Sequence, residues 1–268
     1  MTKAARITIP DLQRRKVEGQ RITMLTAYDY PFARIVDDAG IDMILVGDSL
    51  GIVVQGHGTT LPVTMDQMIY HTEIVSRAAK HAVVIGDMPF MSFQVSDDEA
   101  VRNAGRFLQE GGAAAVKLES PASMLSRVAA IAAADIPVMA HLGLSPQSVH
   151  KMGGYKVQGR DAGSAQRLLD SAKRAEDAGA FALLIEGVPM TVARDITRAV
   201  SIPTIGIGAG AACDGQVIVL HDLLGLFDEF TPKFIKRYVN LREIISTAVT
   251  QYKDEVMDGQ FPSERESY

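Results

Sequence analysis

Short, nearly unbroken apolar runs alternate along this chain with longer stretches in which apolar positions recur three and four residues apart. The alternation predicts strands and helices taking turns, the pattern of a parallel α/β fold. Strands are expected over 21–29, 42–48, 82–89, 113–119, 136–143, 180–187, 202–208 and, with the weakest pattern, 217–226. Their apolar positions are consecutive rather than alternate, as when both faces of a sheet are covered.

Helix signals fill the intervals. Residues 96–110 open on Ser96 and Glu99 at capping-box spacing and set Ala100, Ala104, Phe107 and Leu108 along one face. Thr64 with Gln67 predicts a second capping box, and Thr231 before Pro232 predicts a further helix start. The phrases DDAGIDMILVGD, QEGGAAAVKLE and EDAGAFALLIEG repeat one grammar, in which a glycine stops a helix and a strand ending in an acid follows.

The expected architecture is a single-domain (β/α)8 TIM barrel over about 21–252, with an N-terminal helix before it. A polar tail, 253–268, is expected as an extended arm or frayed end. ACDGQ leaves little room for a seventh helix. An open doubly wound sheet is the alternative, disfavoured because no Gly-x-Gly-x-x-Gly follows the first strand. Segments 49–63 and 142–162 are long and glycine-bearing, and both follow strands and precede helices. In a barrel that places them on the active-site face.

Composition narrows the class. The 268 residues are 47% hydrophobic and 22% charged, which excludes disorder as a description of the whole chain. A net charge of −5 argues against a nucleic-acid partner. The single cysteine, Cys213, allows neither an intrachain disulfide nor a cysteine zinc cluster. The opening MTKAARITIPDLQRRK lacks an apolar h-region, so no signal peptide is expected. No apolar stretch approaches the ~20 residues that cross a bilayer, so the expectation is a cytoplasmic protein without a membrane partner.

Candidate chemistry collects at strand ends. Asp48, Asp87, Glu119 and Glu186 each close an apolar strand at its C-terminal end, where barrels build active sites. Any one of them could cap a helix or pair with a loop cation. Four at one mouth repel one another, and a bound cation would relieve that. Asp48, Asp87 and Glu119 fall on the second, third and fourth strands, whose spacing of ~4.8 Å lets the three carboxylates meet at one ion. Oxygen ligands favour Mg²⁺, with Mn²⁺ as the alternative, over zinc, for which HExxH and Cys-x-x-Cys are absent. Glu186, on the sixth strand, stands apart as a candidate base.

Lys117 lies two residues before Glu119 and so shares its face, either as a structural counter-ion or to bind an anionic substrate group. His141, ending the fifth strand, reads as a hydrogen-bonded structural residue or as an additional catalytic one. The GIGAG run at 206–210 suits backbone binding of phosphate or tight packing. Lys151, Lys156 and Arg160 would attract an anion or simply be solvated.

The stretches TAYDYPFA (26–33), LVGDSLG (45–51), VQGHGTTLPVT (54–64), HLGLSPQSV (141–149), GGYKVQGR (153–160), IPTIGIGAG (202–210) and CDGQVIVLHD (213–222) resemble the ketopantoate hydroxymethyltransferase family, in the family's order. The resemblance implies a (β/α)8 barrel of the pantothenate pathway. Its members move a one-carbon unit from 5,10-methylenetetrahydrofolate to 3-methyl-2-oxobutanoate, giving 2-dehydropantoate through a Mg²⁺-stabilised enolate. It implies metal ligation by Asp48, Asp87 and Glu119, oxo-acid contacts from Asp48, Ser49, Asp87 and Lys117, and proton acceptance by Glu186. A homodecamer of two pentameric rings is implied as well. The runner-up is a Mg²⁺-dependent lyase or mutase barrel of the phosphoenolpyruvate mutase/isocitrate lyase type, which would want a catalytic cysteine after a middle strand. A third reading is a non-catalytic scaffold in which the acids serve only as caps.

Overall fold

The computed structural model describes residues 6–227 and 232–268. Two compact units divide the chain, 1–219 and 220–268. The first contains a closed ring of parallel strands in sequence order, β1 to β8, with β1 pairing back onto β8.

Element by element, the first unit begins with α1 (Ile9–Val17), β1 (Ile22–Thr26), α2 (Tyr30–Asp38), β2 (Met43–Val46), α3 (Leu50–Val53) and α4 (Met65–Ala78). There follow β3 (Val83–Asp87), α5 (Asp97–Gln109), β4 (Ala115–Glu119), α6 (Leu125–Ala133), β5 (Val138–Gly143) and α7 (Val149–Met152). The ring is completed by α8 (Ala162–Asp177), β6 (Ala182–Glu186), α9 (Met190–Ala199), β7 (Thr204–Ile207) and β8 (Gly215–Ile218).

Two of the predicted caps form, one of them in half. Thr64 and Gln67 close a reciprocal capping box at α4, whereas Ser96 caps α5 by accepting from the Glu99 amide alone. Gly40, Gly112 and Gly179, between helix and strand, all adopt positive φ, which an L side chain resists.

Inside the ring one residue in two faces the axis. Ile22 and Met24, Met43 and Leu45, Val83 and Ile85, Ala115, Met139, Ala182 and Leu184, Ile205 and Val217 form a single buried cluster. Leu12 of α1 belongs to the same cluster, so the first helix plugs the end of the ring where the strands begin. Two ion pairs hold the plug, Arg15 to Asp42 at 2.7 Å and Lys16 to Asp214 at 2.8 Å. Each of those aspartates also accepts from the backbone amide and hydroxyl of a strand threonine, Thr23 or Thr204. Outside the ring, strand residues such as Val84, Val116 and Leu183 are buried as well, which explains the unbroken apolar runs.

Two expectations change. The eighth strand is Gly215–Ile218, not 217–226, and Leu220–Leu224 is a helix, α10. Residues after Lys253 are not an extended arm from the start: α11 (Leu241–Met257) continues four residues past it, and a 3₁₀ turn spans Glu264–Glu266. Within the long segments 49–63 and 142–162 lie α3, α7 and a 3₁₀ turn at Pro146–Ser148. No helix separates β7 from β8, as the brevity of ACDGQ implied. The Thr231 cap falls outside the described residues.

The second unit consists of α10, α11 and the terminal turn; none of the residues of α11 is buried. No helix among the described residues is long and apolar enough to cross a membrane.

Candidate active site

The parity that buries Ile85, Ala115, Met139 and Leu184 inside the ring extends to the strand ends. Two residues on from these come Asp87, Lys117, His141 and Glu186, and Glu119 follows Lys117 by two more. Register keeps them together: Asp87 pairs with Lys117, Glu119 with His141, and Gly143 with Glu186. Asp48 arrives differently. It lies two residues beyond β2, in the turn before α3, and its backbone amide donates to Asp87 Oδ2 at 3.1 Å. Five of the six predicted charged or titratable residues are buried, and Glu186, at the rim, is partly exposed.

Lys117 Nζ donates to both Asp87 oxygens at 2.7 Å. The ammonium is held in its charged form by Asp87 and Asp48, which outweigh the opposing effect of burial. Burial pushes the Asp87 carboxyl up to about 7 even so; Lys117 opposes this, and the neighbouring Asp48 adds to it. Glu119 is pushed up to about 8, first by burial and then by Asp48. Mutual repulsion among carboxylates is therefore built into this rim.

Gln147, in the 3₁₀ turn after β5, was not singled out by sequence. Its backbone amide donates to Glu119 Oε1 at 2.9 Å and its carboxamide nitrogen to Asp48 Oδ2 at 2.9 Å. Tyr28 was missed too: its hydroxyl lies 2.8 Å from Ser49 Oγ, at the end of the loop entering α2. Both residues lie inside the resembling stretches, but no spacing rule marks a glutamine or a tyrosine there.

His141 Nε2 is 3.2 Å from Glu186 Oε2, but the alignment falls short of a hydrogen bond, and neither ring nitrogen has another partner among the described residues. Burial, reinforced by Lys117, lowers its pKa, so the ring is neutral at pH 7. The loop after β5 stands over the acids. Tyr155 in that loop has its hydroxyl pKa raised by partial burial and then by Asp48, Glu186 and Glu119. Lys151, Lys156 and Arg160 are exposed. In the GIGAG run, a Cβ on Gly206 would stand 3.0 Å from Cys213 Sγ and one on Gly210 2.6 Å from the Met190 side chain, which supports tight packing.

Among the described residues, no three Asp, Glu, His or Cys side chains surround one point that could hold a metal ion. Lys117 takes both oxygens of Asp87, and Gln147 takes one each from Asp48 and Glu119. The donor chemistry nevertheless fits a hard divalent cation: three carboxylates share one ammonium, and the repulsion among them is what a cation relieves.

Several solved structures share the fold. One is 2,3-dimethylmalate lyase, a phosphoenolpyruvate mutase/isocitrate lyase superfamily member, with TM-score 0.62 and 16% identity, covering 97% of this chain and 91% of that one. Phosphonopyruvate hydrolase, in complex with oxalate and Mg²⁺, matches with TM-score 0.59 and 15% identity over 97% and 93%. Identities this low establish the barrel alone. Cys213, the only cysteine in the sequence, is buried after β7.

Sequence relatives are far nearer. The 3-methyl-2-oxobutanoate hydroxymethyltransferase of Geobacter sulfurreducens is 57% identical over 261 residues, 97% of this chain and 98% of that protein. The one from Pelobacter propionicus is 56% identical over 263 residues, 98% and 97%. That of Moorella thermoacetica is 54% identical over the full length of both chains. The ketopantoate hydroxymethyltransferase family model matches residues 6–264. With the fold, the resembling stretches and these relatives in agreement, the chain belongs to the ketopantoate hydroxymethyltransferase family.

Proposed function

We propose that this chain is a Mg²⁺-dependent enzyme that transfers a hydroxymethyl unit from 5,10-methylenetetrahydrofolate to 3-methyl-2-oxobutanoate, forming 2-dehydropantoate for pantothenate synthesis. The observation that carries the reading is the gathering of Asp48, Asp87, Lys117, Glu119, His141 and Glu186 at one rim of the ring, five of them buried. Asp48, Asp87 and Glu119 would hold the cation. When bound, Mg²⁺ would supply Lewis-acid polarisation of the substrate's 2-oxo group.

The protein's own groups do the rest. Lys117, fixed in its charged form, offsets the negative charge of the oxo acid. Ser49, its hydroxyl 2.8 Å from that of Tyr28, offers a hydrogen bond to the substrate carboxylate, with Asp48 and Asp87 beside it. Glu186 is partly exposed at the rim and accepts the C3 proton. His141 stays neutral next to it and so does not neutralise the base. The new carbon–carbon bond forms between C3 and the one-carbon unit, whose hydroxyl oxygen comes from water as tetrahydrofolate leaves. The loop bearing Tyr155 borders the face on which the folate would sit. A cytoplasmic homodecamer of two pentameric rings is part of the same proposal.

The test is hydrogen exchange. Purified protein with Mg²⁺ and 3-methyl-2-oxobutanoate in D₂O should exchange the C3 proton, followed by NMR, and should form product once methylenetetrahydrofolate is added. Absence of exchange with and without folate would favour a scaffold whose acids are only caps.

A further inference from the structure

We propose that Gln147 is a positioning residue that sets the affinity of this rim for a divalent cation by holding Asp48 and Glu119 in place; this rests on the metal reading above. Asp87 is oriented by Lys117. Asp48 and Glu119 are oriented instead by two neutral donors of a single residue, the carboxamide and the backbone amide of Gln147. The backbone N–H is available because Gln147 stands at the start of a 3₁₀ turn, where amides have no intrahelical acceptor.

The carboxamide has one sensible orientation. Its nitrogen donates to Asp48 Oδ2 at 2.9 Å and to the Met88 carbonyl at 3.0 Å, while its oxygen accepts from Gln94 Nε2 at 3.2 Å. A flip would set that oxygen against two acceptors. Gln94 is fixed in turn, since Arg127 donates to the carbonyls of Phe93 and Gln94 at 3.0 and 3.3 Å. The chain of contacts therefore runs from α6 through the loop after β3 to two of the three acids. It leaves Asp48 Oδ1 and Glu119 Oε2 without a hydrogen bond among the described residues. One oxygen of each acid is thus anchored and the other is left for a cation. Because the anchor is neutral, it orients the acids without neutralising them.

Mn²⁺ alone, titrated into the full-length protein without substrate and followed by its EPR signal, provides the test. Gln147→Met keeps the side-chain length and removes the donor; Mn²⁺ affinity should fall on the order of 10–100-fold. Gln94→Leu touches none of the acids and should weaken binding several-fold by freeing the carboxamide. The double variant should bind like Gln147→Met alone, because both changes act through one contact. Unchanged or tighter binding in Gln147→Met overturns the proposal, and additive losses overturn the route through Gln94. Should Gln147→Met fail to fold by circular dichroism, Gln94→Leu decides, and wild-type affinity in it overturns the proposal. If the wild type itself binds no Mn²⁺, the metal reading falls and this inference with it.

Discussion

Lys117 and Asp87 face each other across β3 and β4 as register partners, and the ammonium stands 2.7 Å from both carboxylate oxygens. Both groups are almost wholly buried, so each depends on the other for its charge. Removing one member of such a pair strands the other, at a cost of about 3–5 kcal/mol. Lys117→Met should lower the urea midpoint accordingly at pH 8 with an unchanged m-value. The loss should shrink toward pH 5, well below the folded Asp87 value of about 7, where that carboxyl is protonated whether or not Lys117 is present. A loss under about 1 kcal/mol at pH 8 would contradict the dependence.

Glu186→Gln should abolish exchange of the substrate C3 proton with D₂O, by at least ~10²-fold, since a general base contributes on the order of 10²–10⁴. Mn²⁺ binding should be untouched, because Glu186 contacts neither Asp48, Asp87 nor Glu119 among the described residues. Exchange at the wild-type rate would remove Glu186 as the base.

The raised acids give stability a definite pH trend. Glu119 moves from an ordinary 4.5 to about 8 on folding, and Asp87 from 3.8 to about 7. Between those values the folded state binds more protons than the unfolded one, so stability falls as pH rises from about 4 to about 8. Metal-free protein should therefore show a thermal midpoint that drops across this window through these two groups. Saturating Mg²⁺ should flatten the drop by favouring the ionised acids, and Glu119→Gln should remove part of it. An identical slope in Glu119→Gln would refute the assignment.

Gly86 sits on the outer face of β3 beneath Phe107 of α5, and a Cβ there would lie 2.2 Å from the ring. Gly86→Ala should cost at least ~1–3 kcal/mol by overpacking. Phe107→Leu in the same chain should recover part of that loss, measurable as a coupling between the two substitutions in chemical denaturation.

Much of this molecule was legible before its structure. The strand-end acids and Lys117 were readable because side-chain parity in a strand is strict: a buried Ile85 or Ala115 commits Asp87 or Lys117 to the same face. Asp48 obeys no such rule, since it stands in a turn past β2, and its place depends on the loop. The eighth strand was misplaced because VIVLHDLLGL is apolar in both its strand and helix portions. Hydrophobic periodicity does not separate a short buried strand from a short buried helix. Gln147 and Tyr28 were invisible for another reason. Their significance lies in partners 99 and 21 residues away in sequence: the pairing of β1 with β2 brings Tyr28 to Ser49, and the ring brings Gln147 across to Asp48.

The pairing of β1 with β8 also governs how the chain is made. Residues 22–25 have no permanent neighbour on one side until residues 215–218 have left the ribosome. Throughout most of synthesis the nascent sheet presents two open, strongly apolar borders, the kind of surface that joins with other chains. Shutting the ring also requires a contact spanning nearly two hundred residues of sequence, which is slow to form. Demand for chaperone protection during translation should accordingly peak late and end abruptly once the last strand emerges.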